Sequence, residues 1–295
     1  MTKISIIMAC KDHQVYTQLA IARLIQNTYN DFELIIADDS VQPIDMFITE
    51  LVESGIDYTV LYPPTPRDGA AHARNDCLRN SHYEYVIDVD NDVMVTPGWD
   101  RPLIEKLEAE PDIGLLIPMQ NDLYFFDKES QIYEGSRVLN FWDVCVRFKH
   151  FRTMMSPDLT KEGVQGLEHI LNETYGGSLD NFAKSYAERN KNREPVHLMN
   201  TWASWATRLS IMKDVGGYDE NYKKAGYEDL DLARRLNMLN YRTIITFNSY
   251  IHHCMSTTRP FIPGAVQAET NNSEYYRRKF TSENLNPREE WLKQK

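Results

Sequence analysis

Asp88, Asp90 and Asp92 stand at spacing two within Tyr85-Val86-Ile87-Asp88-Val89-Asp90-Asn91-Asp92-Val93-Met94-Val95. The apolar, largely β-branched run from Tyr85 to Ile87 reads as a buried strand. Strand side chains alternate faces, so the three carboxylates project the same way while the extended geometry lasts. Like charges that close repel unless something cationic lies between them. A hard divalent ion with oxygen ligands is the natural partner. The same acids also suit a solvated strand end, with Asp92 or Thr96 as a turn or cap residue. Thr96-Pro97-Gly98 breaks the strand, and Trp99 opens the next packed segment.

Other chemistry-bearing residues fall at the ends of elements. Asp38-Asp39-Ser40 closes an apolar run, where carboxylates either meet a ligand or cap the next helix. Arg74 carries a fork suited to phosphate and equally to a surface ion pair. Glu228 and Asp229 open a helix, where acids also complement the dipole. His252-His253 follows a predicted strand, a position that structural histidines share with ligating ones.

The elements that must position these groups alternate. Lys3 to Ala9 is a nearly continuous apolar run, as in a parallel strand buried on both faces. Leu19, Ala20, Arg23 and Leu24 give a helix from about Tyr16 to Gln26, and Phe32 to Ala37 is a second strand. Strand, helix, strand within forty residues is a βαβ unit, which implies a parallel sheet. A helix near Asp45 to Ser54, a strand from Tyr58 to Leu61 and a helix ending near Asn80 follow. After the acidic strand come a helix near Asp100 to Ala109 and a strand from Ile113 to Pro118. From Met119 to about Met199 the alternation stops. That stretch is rich in aromatics (Tyr124, Phe125, Phe126, Tyr133, Phe141, Trp142, Phe148, Phe151) and holds an amphipathic helix around Leu179 to Arg189. It reads as an insertion over the sheet whose aromatics are core or an acceptor platform. Asn200 to Ser210 returns to strand-like packing, Leu232, Leu236 and Leu239 mark a helix, Tyr241 to Phe247 is a last strand, and Glu274 to Phe280 is a terminal helix.

The chain has 295 residues with 42% hydrophobic and 25% charged, enough for one large α/β domain or two small ones. A net charge of -11 argues against a nucleic-acid binder, which would show a basic stripe. No stretch reaches the ~20 apolar residues of a membrane span, and Met1-Thr2-Lys3 leads straight into a strand, so a cytoplasmic protein is expected. Cys10, Cys77, Cys145 and Cys254 are far apart, which suggests reduced thiols rather than a disulfide frame or zinc site.

The order of these pieces resembles the family 2 glycosyltransferases, which have the GT-A fold. The resemblance is carried by Ser5-Ile6-Ile7, the run from Gln26-Asn27-Thr28 to Ala37-Asp38-Asp39-Ser40, Ala73-Arg74-Asn75, and Asp90-Asn91-Asp92 with Pro97-Gly98-Trp99. It continues through Gly216-Gly217-Tyr218-Asp219-Glu220, Glu228-Asp229-Leu230-Asp231-Leu232 and His252. It covers the first 118 residues and roughly 200 to 258, with no match between. In that family an Asp-x-Asp lies seven residues ahead of a Pro-Gly-Trp-like element, which selects Asp90-Asn91-Asp92.

The resemblance implies an α/β, Rossmann-like and mostly parallel central sheet flanked by helices, with a mixed α/β insertion in the acceptor half. It divides one GT-A domain into a nucleotide-sugar-binding half (1–118), an acceptor-side insertion (119–199) and an acceptor and catalytic half with a helical tail (200–295). It implies that Asp92 holds Mn²⁺ or Mg²⁺, while Asp90 faces the sugar nucleotide or a metal-bound water, with Asn91 beside it. Asp39 would accept from the nucleobase, with Asp38 nearby, and Arg74 would contact the diphosphate. Asp229, or else Glu228, would be the catalytic base, and one of His252 and His253 would complete the metal site or touch the diphosphate. Ala9-Cys10-Lys11-Asp12 replaces the family's Pro-Thr-Tyr-Asn, which places Ala9 and Asp12 at a nucleotide pocket of altered lining.

These assignments describe an inverting, metal-assisted transfer from a nucleoside diphosphate sugar, UDP by family habit, to a hydroxyl on a glycan, lipid-linked or other glycoconjugate acceptor. Trp202 and Trp205 are candidates to stack on sugar faces. A non-catalytic sugar-nucleotide or glycan-binding module has no need of both the base and the acidic motif. A nucleotidyltransferase usually shows a Gly-rich, basic loop after its first strand, and Ala9-Cys10-Lys11-Asp12-His13 has no glycine.

Overall fold

The structure is a computed structural model that describes residues 1–44, 49–63, 67–121, 124–127, 132–135, 163–197, 202–254 and 264–281. The first half runs β1 (Lys3–Cys10), α1 (Gln14–Asn27), β2 (Asp31–Asp38), α2 (Thr49–Ser54), β3 (Asp57–Leu61), α3 (Ala70–Asn80), β4 (Tyr85–Val89), β5 (Val93–Val95), α4 (Arg101–Ala109) and β6 (Ile113–Gln120). A short pair β7 (Tyr124–Asp127) and β8 (Ile132–Gly135) follows, then α5 (Gly163–Thr174), α6 (Leu179–Asn190) and β9 (Val196–His197). The chain continues with β10 (Ser204–Arg208), α7 (Leu209–Val215), α8 (Glu228–Met238), β11 (Arg242–His253) and α9 (Ala265–Thr281).

Among the described residues the main sheet has the order β3-β2-β1-β4-β10-β6-β11-β5, with β9 on β11. β3, β2, β1 and β4 are mutually parallel. Ile4, Ile6, Ile7 and Met8 of β1 are fully buried, and so are Leu34 and Ile36 of β2. Helices cover both faces of this half, so its strands lack polar alternation. β10 instead runs antiparallel to both β4 and β6. The chain leaves β6 at the end where β4 also stops, and a strand entering from that end must run the opposite way. The mostly parallel expectation therefore holds for the first half and gives way to a mixed arrangement around β10.

Two boundaries differ from the sequence reading by more than five residues. The last strand extends to His253 rather than Phe247, after a register shift between Thr246 and Tyr250. The hydroxyl of Ser249 donates to the carbonyl of Trp99, and that of Thr96 to the carbonyl of Tyr250 at 2.6 Å, so the Thr96–Trp99 turn carries the strand past its irregularity. The terminal helix begins at Ala265, nine residues earlier than expected, because Ala265, Ala268 and Asn272 give it a buried stripe.

In the stretch expected to be an insertion, α6 packs on β11 through Phe182 and Tyr186 against Tyr250, and Arg23 ties α5 and α6 to α1. This buried guanidinium donates to the carbonyl of Val95 at 2.9 Å, to Glu168 of α5 at 3.1 Å, and to Asp180 of α6. Phe141, Trp142, Phe148 and Phe151, offered above as a platform, lie outside the described residues, as does Cys145. The backbones of Tyr124, Phe125, Phe126 and Tyr133 belong to the β7–β8 pair. Cys10, Cys77 and Cys254 are buried and stand outside any disulfide among the described residues.

Candidate active site

β4 stops at Val89, so the shared-face geometry expected of Asp88, Asp90 and Asp92 does not last. The N–H of Asp90 donates to the carbonyl of Ala203, and the N–H of Val93 returns to the carbonyl of Asp90 at 3.0 Å, which makes a turn. Asp88 stays on the strand and points into the protein, 1% exposed. Asp90 and Asp92 leave it and converge with His253. One ligand atom from each of these three lies within 4.8 Å of the others, and His253 Nε2 is 3.4 Å from Asp92 Oδ1.

Strand parity separates the two histidines. β11 pairs with β5 so that His253 lies opposite Val93, one residue from Asp92, and the N–H of Cys254 donates to the carbonyl of Asp92. His252 faces the other side of the sheet. It is fully buried, with Nδ1 2.6 Å from the hydroxyl of Tyr175, which also lies 3.0 Å from that of Tyr250. Of the pair proposed from sequence, His253 joins the acids and His252 joins the core.

Arg74 is the hub between the two acidic groups. The sequence allowed a surface ion-pair partner, but Arg74 is 4% exposed. Its Nε lies 2.8 Å from Asp88, and one terminal nitrogen lies 2.6 Å from Asp90. The other terminal nitrogen lies 3.4 Å from Glu228 and 3.8 Å from Asp229. Four carboxylates around one cation leave an acidic surplus in a dry place. Burial first, then Asp90, pushes the Asp88 carboxyl up to about 7, against the pull of Arg74. Burial and the neighbouring Glu228 likewise hold Asp229 well above the usual carboxylate range. Burial raises Asp90 and Glu228 in the same direction, opposed in each case by Arg74.

The second acidic pair arrives from the far half of the chain through a clasp. Asn75 sits beside Arg74 on α3, and its side-chain amide donates to the carbonyl of Tyr218 at 2.9 Å while accepting from the Tyr218 N–H at 2.8 Å. Gly217 has φ of +75°, and a Cβ there would lie 2.6 Å from the Asn75 amide oxygen, so only glycine fits. This is why Ala73-Arg74-Asn75 and Gly216-Gly217-Tyr218 occur together. α8 then begins at Glu228. Glu228 accepts from the N–H of Gly226 at 2.5 Å, whereas Oδ1 of Asp229 is buried with no hydrogen-bond partner among the described residues.

At the open ends of β1 and β2 the proposed nucleotide residues divide. Asp12 and His13 both have left-handed φ, 56° and 57°. Side chains must over-determine such a loop. The Asp12 N–H donates to Ser40 Oγ at 2.7 Å, and its carboxylate accepts from the Val41 N–H at 2.9 Å. Asn91, expected near the donor, turns inward to Thr17 and the carbonyl of Asp12. Asp38 is occupied by the N–H groups of Ser40 and Ile44, which makes it a loop cap. Asp39 faces the open end with one oxygen 2.8 Å from Arg67, whose Nε also lies 2.5 Å from Asp76. Ala9 is half-buried on the strand beside them, in register with Ala37. Arg67 went unrecognised in the sequence because nothing local distinguishes it from a loop cation.

Residues 5–160, more than half of the chain, match the profile of glycosyl transferase family 2. The chain belongs to that family. The fold of the chain is GT-A, shared with GalNAc-T7, whose crystal structure contains UDP, GalNAc and Mn²⁺ (12% identity, TM-score 0.56, covering 86% of this chain and 44% of that one). It is shared with the mannosyltransferase PcManGT from Pyrobaculum calidifontis, in complex with GDP-Man and Mn²⁺ (13%, 0.55, covering 99% and 78%). S. aureus TarS gives 14% and 0.53, covering 95% of this chain and 44% of TarS. The chain thus spans less than half the length of GalNAc-T7 or TarS. No curated protein matches it by sequence. Among its described residues no helix is long and apolar enough to cross a membrane.

Two carboxylates and one imidazole, gathered on the open side of the site, form a donor set that suits a divalent ion of the Mg²⁺ or Mn²⁺ kind. Asp90, Asp92 and His253 therefore fit a metal ion. The tryptophans considered for sugar stacking are both buried. Trp205 is fully buried with its N–H donated to Tyr218, and Trp202 is buried as well.

Proposed function

We propose that this glycosyltransferase is an inverting enzyme that transfers a sugar from a nucleoside diphosphate donor, UDP-linked, to a hydroxyl of a glycan, lipid-linked or other glycoconjugate acceptor. Asp90, Asp92 and His253 hold Mn²⁺ or Mg²⁺, Asp229 is the base, and Asp39 meets the nucleobase. The observation that carries this reading is the position of Arg74, which reaches Asp90 of the ligand set on one side and Glu228 and Asp229 on the other. One guanidinium thus ties the proposed leaving-group site to the proposed base. The UDP and GDP-Man complexes of the two structural relatives support a nucleotide-sugar donor, and their Mn²⁺ supports the metal.

When bound, the cation supplies Lewis-acid stabilisation of the charge on the departing diphosphate. The protein's own groups do the rest. The acceptor oxygen attacks the anomeric carbon, the bond from that carbon to the diphosphate breaks, and the hydroxyl proton passes to Oδ1 of Asp229. That oxygen is buried and has no hydrogen bond to surrender. Its raised proton affinity makes it a stronger base once ionised, and such catalysis is typically worth ~10²–10⁴-fold. Glu228 is committed to Gly226 and Arg74, which favours Asp229. One base without a covalent nucleophile implies a single displacement with inversion. A cytoplasmic setting, peripheral to a membrane where the acceptor is lipid-linked, completes the reading.

A thermal-shift panel of UDP, GDP, dTDP, CDP and ADP, each with Mn²⁺ or with chelator, tests it. A ligand at ~100 times its Kd adds about 2.7 kcal/mol of stability. Stabilisation by one nucleotide only with metal is expected. No shift with any nucleotide under either condition would overturn the assignment.

A further inference from the structure

We propose that α9 is a strap that sets the position of the base, with Asn272 as its positioning residue. The inference rests on the assignment of Asp229, or of Glu228 beside it, as that base. The loop that delivers them is under conformational demand, because Lys224, Gly226 and Tyr227 have φ of 60°, 107° and 75°. Left-handed backbone at non-glycine residues persists only where neighbours over-determine it. Those neighbours are found on two sides. Lys224 exchanges backbone hydrogen bonds with Asp68 and Ala70 at the entrance to α3.

The other side is α9. Asn272 is 2% exposed, and its amide donates to the carbonyls of Lys223 and Gly226, both at 2.9 Å, while accepting from the Lys223 N–H at 3.1 Å. Gly226 is the residue whose N–H holds the Glu228 carboxylate. One side chain of the strap is thus a single residue removed from the acidic pair. Further along α9, Tyr275 donates to Asp219 at 2.9 Å, and Lys279 bridges Asp219 and Asp231 at 2.6 Å each. Asp219 precedes the loop and Asp231 lies in the first turn of α8, so the strap fixes both flanks of the base-bearing segment. In sequence Asn272 is one of a run of polar helix residues, with no sign of its three partners.

The test compares Asn272→Asp and Asn272→Ala with Gln267→Ala, an exposed change on the same helix. The aspartate keeps an acceptor for Lys223 but cannot donate to the two carbonyls, and its size preserves the packing. The readouts are amide hydrogen exchange across 219–231, the Mn²⁺-dependent shift produced by UDP, and kcat and KM for Mn²⁺-dependent hydrolysis of UDP-glucose and UDP-N-acetylglucosamine. A displaced base lowers kcat about 10–100-fold and leaves the donor KM within about twofold. Exchange rises within 219–231, the UDP shift is unchanged, and Gln267→Ala behaves as wild type. Wild-type kcat in both Asn272 variants would overturn the proposal, as would a loss of activity matched by a global rise in exchange and a higher KM. Asp229→Asn and Glu228→Gln are run alongside. Wild-type rates in both would defeat the base assignment itself, independently of what Asn272 does.

Discussion

The Nε of Arg74 lies 2.8 Å from a carboxylate oxygen of Asp88, and both side chains are almost completely buried. Asp88 is not part of the family's Asp-x-Asp, yet it is the innermost acid of the site. Removing the cation leaves the buried Asp88, Glu228 and Asp229 and the partly exposed Asp90 facing one another. Breaking a buried pair by deleting one partner costs about 3–5 kcal/mol, so Arg74→Met is expected to lose stability of that order in urea titrations at neutral pH. Arg74→Lys keeps the charge without the fork and should fall between the two. A methionine variant as stable as wild type would show that the four acids do not depend on Arg74.

The two histidines are expected to respond differently to substitution. His253→Ala removes one of the three candidate ligands, so UDP stabilisation in the thermal-shift assay should lose its dependence on Mn²⁺. Tyr175→Phe removes the hydroxyl that faces His252 in the core. The same hydroxyl lies 3.0 Å from that of Tyr250; each buried hydrogen bond lost costs about 1 kcal/mol, and metal dependence should survive. Reversed behaviour, with His253→Ala still metal-dependent, would move the ligand role elsewhere.

The sequence displayed these histidines as equivalents because side-chain direction is a matter of strand parity. With the last strand ending at Phe247, neither His252 nor His253 has a defined face. The pairing of β11 with β5 assigns both. The parallel half was legible for a simpler reason. Strands such as Lys3–Cys10, buried on both faces, read as unbroken apolar runs, and their C-terminal acids follow directly. Arg74 was legible as a functional candidate but not as a buried hub, since Glu228 lies 154 residues away in the chain. The expectation of Asn91 near the donor took no account of a turn at this point. The turn after Val89 rotates it towards Thr17, and turn geometry is not written in the spacing of three aspartates.

Gly69 joins the loop before α3 to the loop before α8. Its φ is +145°, and a Cβ at that position would lie 2.5 Å from the backbone nitrogen of Lys224. Backbone cannot swing aside as a long side chain would, so Gly69→Ala must part the two loops or strain both. A loss of about 1–3 kcal/mol is expected. Gly55→Ala, also at positive φ but with nothing within 4 Å, isolates the purely conformational share and should cost less. Equal urea midpoints for the two variants would mean that the contact with Lys224 is not tight.

His82 and Glu33 give a pH dependence at the opposite end of the sheet from the acidic site. Glu33 is buried and accepts from Ser5 Oγ at 2.6 Å and from the His82 N–H at 2.8 Å, with the imidazole Nδ1 2.7 Å away. The hydrogen bond to Glu33, and then its charge and that of Asp57, raise the His82 pKa above its ordinary value of 6.5. A histidine whose folded pKa is raised contributes stability that is fully present below its unfolded pKa and is lost as pH rises through the folded one. Stability attributable to this pair should therefore decline from about pH 6.5 upward. The imidazole is 73% exposed, so solvent screening keeps the effect small. Urea midpoints measured between pH 6 and pH 9 for wild type and His82→Gln should converge at the alkaline end, with wild type the more stable at the acid end. An imidazole titration by NMR with a midpoint at or below about 6.5 would remove the basis for that difference.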